Sequence, residues 1–175
     1  RSITLPHAVS IINDRTFEDC YNLRSITIPE TITSIGNNAF HLCRNLTNIN
    51  IPSTVTTIGE YAFNYCESLT SLHIPHSVTT IGNMAFQNCG SLTSITVDSQ
   101  NTTYDSRDNC NAIILTAKNS LVLGCSNTVI PNTVTSIGQY AFFYAHLTSI
   151  IIPSSVVWIE SSSFSGCSAL TDISN

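Results

Sequence analysis

Apolar residues recur along this chain in a fixed order and at a fixed step. Between Ile51 and Leu72 they stand at Ile51, Val55, Ile58, Ala62, Phe63, Cys66, Leu69 and Leu72. The spacings of three and four from Val55 to Cys66 predict one face of a short helix or of 3-10 turns. Leu72 and Ile74 alternate around His73 as in a strand. Pro75 then ends that strand, because proline cannot donate to a ladder. Gly59 falls where the chain turns from the first apolar pair into the helical stretch, a place that predicts positive φ.

The same order returns every 23 residues, with Pro6, Pro29, Pro52 and Pro75 in step with Phe17, Phe40, Phe63 and Phe86 and with Cys20, Cys43, Cys66 and Cys89. Such regularity predicts a solenoid. One coil cannot bury its own inner face, whereas stacked coils bury Val on Val, Phe on Phe and Leu on Leu. The expected architecture is an α/β solenoid, a right-handed superhelix of 23-residue coils. Its concave side would be a parallel β-sheet and its convex side short helical or 3-10 segments. Regular units span 6–97 and 131–175, and an irregular unit spans 98–130, within a single domain 1–175. Because it begins and ends inside the pattern, the chain reads as a piece of a longer protein. In the irregular unit, Ala112–Ala117 and Leu121–Cys125 are apolar β-prone runs joined by Lys118, Asn119 and Ser120, which predicts a hairpin.

The template I-P-x-x-V-x-x-I-G-x-x-A-F-x-x-C-x-x-L-T-x-I-x resembles the BspA-like, or Treponema pallidum type, leucine-rich repeats. The resemblance runs from end to end. It includes Tyr104 to Pro131, which is similar to the irregular hairpin-bearing unit that interrupts such arrays. It implies a non-catalytic binding or adhesion module of a secreted or cell-surface bacterial protein, with signal and anchor outside this chain. It also implies a protein ligand, a host matrix or plasma glycoprotein such as fibronectin or fibrinogen.

Composition narrows the functional classes. Only 10% of residues are charged, with a net charge of −5, against roughly 25% charged residues in ordinary soluble domains. Six scattered Lys and Arg cannot make the cationic footprint that nucleic acid requires. No apolar run approaches the roughly 20 residues of a spanning helix, so membrane insertion is not expected. There is no G-x-S-x-G elbow, no glycine-rich phosphate loop and no carboxylate pair on one face. No catalysis and no cofactor are expected.

Seven cysteines invite a chemical reading. The four in step lie one per coil, are predicted to stack as buried thiols roughly 5 Å apart, and so stand wider than the Cβ separation of about 3.8 Å that a disulfide needs. Cys110 and Cys125 differ, since both flank the hairpin of the irregular unit. They are either a disulfide across it or two separate core thiols. His73 and His76 lack a third ligand nearby, and a histidine on a solvated strand is the simpler reading.

The strand face remains. Its outward positions include Thr27, Asn50, His73 and Thr96 in one row and Ser25, Asn48, Ser71 and Ser94 in a parallel one. Both rows are expected on the concave, ligand-binding surface, with Asn50 and His73 standing out from the Ser/Thr background. A spacer array displaying another domain is the alternative function. A carbohydrate-binding module is the other, although neither row holds an aromatic residue. The hairpin, expected as a loop outside the stack, is a second candidate surface. Two sequons, Asn45-Leu-Thr and Asn101-Thr-Thr, are read as incidental in a bacterial protein. Unpaired strand edges at both ends predict end-to-end self-association.

Overall fold

A computed structural model describes all residues, Arg1–Asn175. Regular coils carry up to two short strands, one after the leucine and a two-residue one at the I-G step. In chain order these are β1 (Ser2–Thr4), β2 (Ile11–Ile12), β3 (Ser25–Thr27), β4 (Ser34–Ile35), β5 (Thr57–Ile58), β6 (Ser71–Ile74), β7 (Thr80–Ile81) and β8 (Ser94–Val97). The irregular unit adds β9 (Tyr104–Asp105), β10 (Ala112–Leu115) and β11 (Ser120–Gly124). Then follow β12 (Ser136–Ile137), β13 (Ser149–Ile151), β14 (Trp158–Ile159) and β15 (Asp172–Ser174).

Equivalent residues of successive coils face one another in parallel register. Ile12, Ile35, Ile58 and Ile81 form one continuous row through β2, β4, β5 and β7. On the strand face β1 pairs with β3, β6 with β8, and β13 with β15. The second coil breaks this face, because Asn48–Asn50 forms no strand. Asparagine is depleted in strands, and here two flank a single inward isoleucine, Ile49.

The stretch predicted as helical is a turn segment instead. Two residues per coil adopt left-handed backbone, such as Asn38 and Leu42 (φ 54 and 60) or Tyr61 and Tyr65 (φ 55 and 60). Alternate amides serve different partners. Tyr61, Phe63 and Tyr65 donate to the carbonyls of Asn83, Ala85 and Gln87 in the next coil, while Ala62, Asn64 and Cys66 donate three residues back. An α-helix would spend every amide within its own coil. The turn segment spends half of them between coils, and that gain offsets a cost of roughly 1–2 kcal/mol for each left-handed residue. The only 3-10 turns, Arg107–Asn109 and Thr116–Lys118, lie in the irregular unit.

The glycine of the I-G step is also corrected. Gly166 is the only glycine at positive φ, so Gly59 is there for space. A Cβ on Gly59 would lie 2.6 Å from the Asn37 nitrogen and from the Gly36 carbonyl carbon of the coil behind.

Inside, Phe17, Phe40, Phe63 and Phe86 stack face to face at 5.0–5.1 Å, each contact adding about 0.5–1.5 kcal/mol beyond burial. The cysteines form the expected ladder and do more than fill space. The thiols of Cys43, Cys66 and Cys89 donate to the carbonyls of Phe17, Phe40 and Phe63 one coil back, at 3.2–3.4 Å.

The hairpin is not outside the stack. β10 and β11 pair antiparallel, and β11 continues in parallel onto β12. The hairpin is therefore a wall inside the solenoid with a core on each side. Ile113 and Leu123 join the core of the first four coils, whereas Ala112, Ile114 and Leu121 join that of the later ones. A bulge lets this happen: Ile113 faces Leu123 but Ile114 faces Leu121, leaving Val122 unpaired. Cys110 and Cys125 are both free thiols. They lie in different cores, so the disulfide alternative is not formed.

Candidate functional site

The strand face is built by alternation. In β3, β6 and β8 the middle apolar residues Ile26, Leu72 and Ile95 are buried, which turns their neighbours outward. Thr27, Asn50, His73 and Thr96 are all exposed, as are Asn48 and Ser71, while Ser25 and Ser94 are half-buried. The register sets His73 beside Thr96 and Ser71 beside Ser94. His73 Nδ1 and Thr96 Oγ1 are 3.0 Å apart and hydrogen-bonded. Asn48 and Asn50 lie in the same step of the repeat but outside any ladder, so their carboxamides are carried on backbone that makes no strand pairing. At the rim, His76 Nδ1 lies 4.0 Å from the Asp98 carboxylate.

Much of the hydroxyl richness has a different role from the one its composition suggests. Thr33, Thr56 and Thr79 donate to the carbonyls of Ser10, Thr33 and Thr56 one coil back. Thr47, Thr70 and Thr93 do the same to Arg24, Thr47 and Thr70. These rows are internal ties between coils. Their signal was in the sequence, since both triplets recur at the repeat step, but composition alone merged them with the outward rows.

Asn101, one of the two sequon residues, is buried. Its amide donates to the carbonyls of Pro75 and Val78, and its oxygen accepts from the Thr103 and Tyr104 amides. It pins the start of the irregular unit to the fourth coil. Asn45 of the other sequon is exposed, its amide donating to the Tyr21 carbonyl at 2.5 Å.

Burial pushes the Cys43 and Cys89 thiols up to about 12 and the Cys66 thiol well above the ordinary range. They stay protonated donors, which suits their bonds to phenylalanine carbonyls and removes the thiolate that nucleophilic or metal chemistry needs. No group of three metal-ligating side chains comes together. No helix is long and apolar enough to cross a membrane.

Stacked coils with parallel strands, a buried ring ladder and an exposed polar strand face define a leucine-rich-repeat solenoid, a binding scaffold by class. The chain belongs to the BspA type leucine rich repeat family, whose model matches in six copies over residues 1–113 and 122–175. The gap between the two matched stretches falls on the hairpin. Among solved structures, a leucine-rich repeat protein from Eubacterium ventriosum is similar over 99% of this chain and 59% of its own, at 23% identity and TM-score 0.69. The pneumococcal vaccine antigen PcpA is similar over 99% of this chain and 50% of its own, at 21% identity and TM-score 0.76. The Treponema pallidum leucine rich repeat protein is similar over 99% and 69%, at 26% identity and TM-score 0.59. The chain thus spans between half and about two thirds of the length of these relatives. No curated protein matches it.

Proposed function

We propose that this chain is a non-catalytic protein-binding module of a secreted or cell-surface protein, which engages its ligand through the strand face. The observation that carries this reading is the pair of polar rows around His73 and Asn50, exposed at six of their eight positions while the other recurrent hydroxyls serve as ties between coils. Such a face offers hydrogen bonds with little charge, so recognition rests on shape and amide or hydroxyl pairing rather than on steering. Extracellular proteins of a host or of neighbouring cells fit that chemistry, with matrix and plasma glycoproteins such as fibronectin and fibrinogen as first probes. The sub-25% identity of PcpA carries only the fold, so its status as a vaccine antigen serves here as a reason to test surface exposure.

The experiment is surface plasmon resonance of the chain over immobilised fibronectin, fibrinogen and a glycan array. Saturable binding to a protein probe that falls at least about fivefold in Asn50→Ala/His73→Ala supports the reading, since two lost polar contacts are worth about 1–3 kcal/mol. Binding unchanged by that double substitution refutes the strand face. No binding here, with binding by a longer form of the protein, supports the spacer role instead.

A further inference from the structure

The hairpin supplies strands to the solenoid but no turn segment, and the turn side is left open there. In the third coil Tyr61, Phe63 and Tyr65 donate to the next turn segment. The equivalent amides of the fourth coil, Met84, Phe86 and Asn88, meet no acceptor. Across the opening, Glu60, Ala62 and Asn64 of the third coil accept such bonds from the coil behind, yet their counterparts Gln139 and Phe143 accept none. Ala141 is served by the Gly124 amide. One wall therefore carries spare donors and the other spare acceptors, in the step that a single polypeptide segment bridges elsewhere in the stack.

The space matches. A cleft of about 310 Å³ lies between the fourth coil and the hairpin, lined by Ile81, Phe86, Tyr104, Ile113 and Val122 among others. A second of about 300 Å³ lies between Asn88, Tyr65, Tyr144 and His146. Between them, at Phe86, Leu123, Gly90 and Tyr144, the space narrows to about 10 Å³, so an entering segment must part the walls there. Two further side-chain groups of this turn segment are unpaired within the fold, while the Gln87 side-chain nitrogen donates across to the Tyr140 carbonyl at 3.4 Å. The side-chain oxygen of Gln87 and the side-chain nitrogen of Asn88 are buried without partners, in residues only 7% and 5% exposed. Buried backbone and amide groups are otherwise paired in folded proteins, so an unpaired row marks a place for a partner.

We propose that this groove binds an extended segment of a partner polypeptide, which completes the interrupted turn ladder by main-chain pairing on both edges. A segment contributed by a second copy's stack does not suit it, because each turn segment there is already bonded along at least one edge, as Arg15, Phe17 and Asp19 are to the second coil. The occupant presents small side chains inward, since the Phe142 ring already packs on Gly124, whose Cβ would lie 2.1 Å from it. This site is separate from the strand face and does not depend on it.

The probe is the synthetic peptide acetyl-GEYAANYS-amide, the Gly59–Cys66 segment with Phe63→Ala and Cys66→Ser. Amide hydrogen exchange of the full chain is expected to show Met84, Phe86 and Asn88 exchanging at least about tenfold faster than Tyr61, Phe63 and Tyr65. Saturating peptide slows those three amides to the rate of the third-coil set. The peptide N-methylated at its third and seventh residues, and the variant Val122→Trp, both lose the effect, while Asn50→Ala/His73→Ala retains it. Three outcomes overturn the proposal: equal protection of both amide sets in the free protein, no slowing by the peptide, or full slowing by the N-methylated peptide. Slowing that appears on concentrating the protein alone assigns the groove to a second copy and overturns the partner assignment.

Discussion

Replacing Gly59 by alanine separates two explanations of the repeat glycine. If the slot needed left-handed backbone, the cost would be conformational. Gly59 has ordinary φ, so alanine fits the backbone and by itself stabilises through the unfolded chain by about 0.4–1 kcal/mol. The obstacle is the coil behind. The new Cβ would sit 2.6 Å from the Asn37 nitrogen and the Gly36 carbonyl carbon, both backbone, with the approach fixed by the Gly59 amide bonding to the Ile35 carbonyl at 2.8 Å. Overpacking of that kind costs about 1–3 kcal/mol, and contact with backbone argues for the upper end. The net expectation is a loss of about 2 kcal/mol, or roughly 4–8 °C in Tm for a chain of this size. Gly138→Ala is the internal control, because its Cβ would meet only the Leu121 carbonyl oxygen at 3.1 Å and then Val122 Cα at 3.7 Å; its change should stay within about 1 kcal/mol. Guanidinium unfolding followed by far-ultraviolet circular dichroism reads both, and suits a stack whose stability is shared between neighbours. Gly59→Ala as stable as the parent, or more so, would refute the close-approach explanation.

Three further outcomes follow from the same geometry. Asn101→Ala strands the carbonyls of Pro75 and Val78 and the amides of Thr103 and Tyr104, and should cost about 2–4 kcal/mol in the same unfolding assay; a loss under about 1 kcal/mol would contradict its anchoring role. Thiol titration in denaturant should count seven free cysteines, and a count of five would restore the Cys110–Cys125 bridge. Because the Cys43 and Cys89 thiols titrate higher when folded, the folded state holds their protons more tightly. Their contribution is fully present below the ordinary thiol value of about 8.5 and is lost as pH rises towards about 12. Stability should therefore decline across that alkaline window, and Cys43→Ala with Cys89→Ala should flatten the decline. An unchanged slope in that double variant would count against the buried-donor assignment.

The coil, its period and its inward residues were legible in the sequence because stacking forces the same residue into the same slot. Ile12, Ile35, Ile58 and Ile81 share a row, and Phe17 to Phe86 share another. The helix was misread because spacings of three and four describe which side chains turn inward, and an alternation of right- and left-handed residues meets that requirement as well as a helix does. Side-chain spacing is blind to where the amides go. The amides of Tyr61, Phe63 and Tyr65 go to the next coil, and only the stacked neighbour makes that profitable. The hairpin was recognised from its β-prone runs, but its place within the stack was not, because the bulge at Val122 that serves two cores has no signature in a single strand's pattern.

That same bulge joins the local sequence to the candidate groove. A hairpin paired in simple alternation would turn Leu121 and Leu123 to one side and could close only one of the two cores. With Val122 unpaired, Leu121 closes the later core and Leu123 the earlier one, so the solenoid survives the interruption without exposed apolar ends. The continuity is restored in the core and along β11 to β12, yet the turn ladder is restored only at the Gly124 amide to the Ala141 carbonyl, because a two-stranded hairpin has no third segment to give. Met84, Phe86 and Asn88 are left with free amides as a consequence of how the interruption is healed. A repeat protein gains two different surfaces by this route: a strand face set by the residues the repeat leaves free, and a groove set by the bonds that the irregular unit leaves unmade.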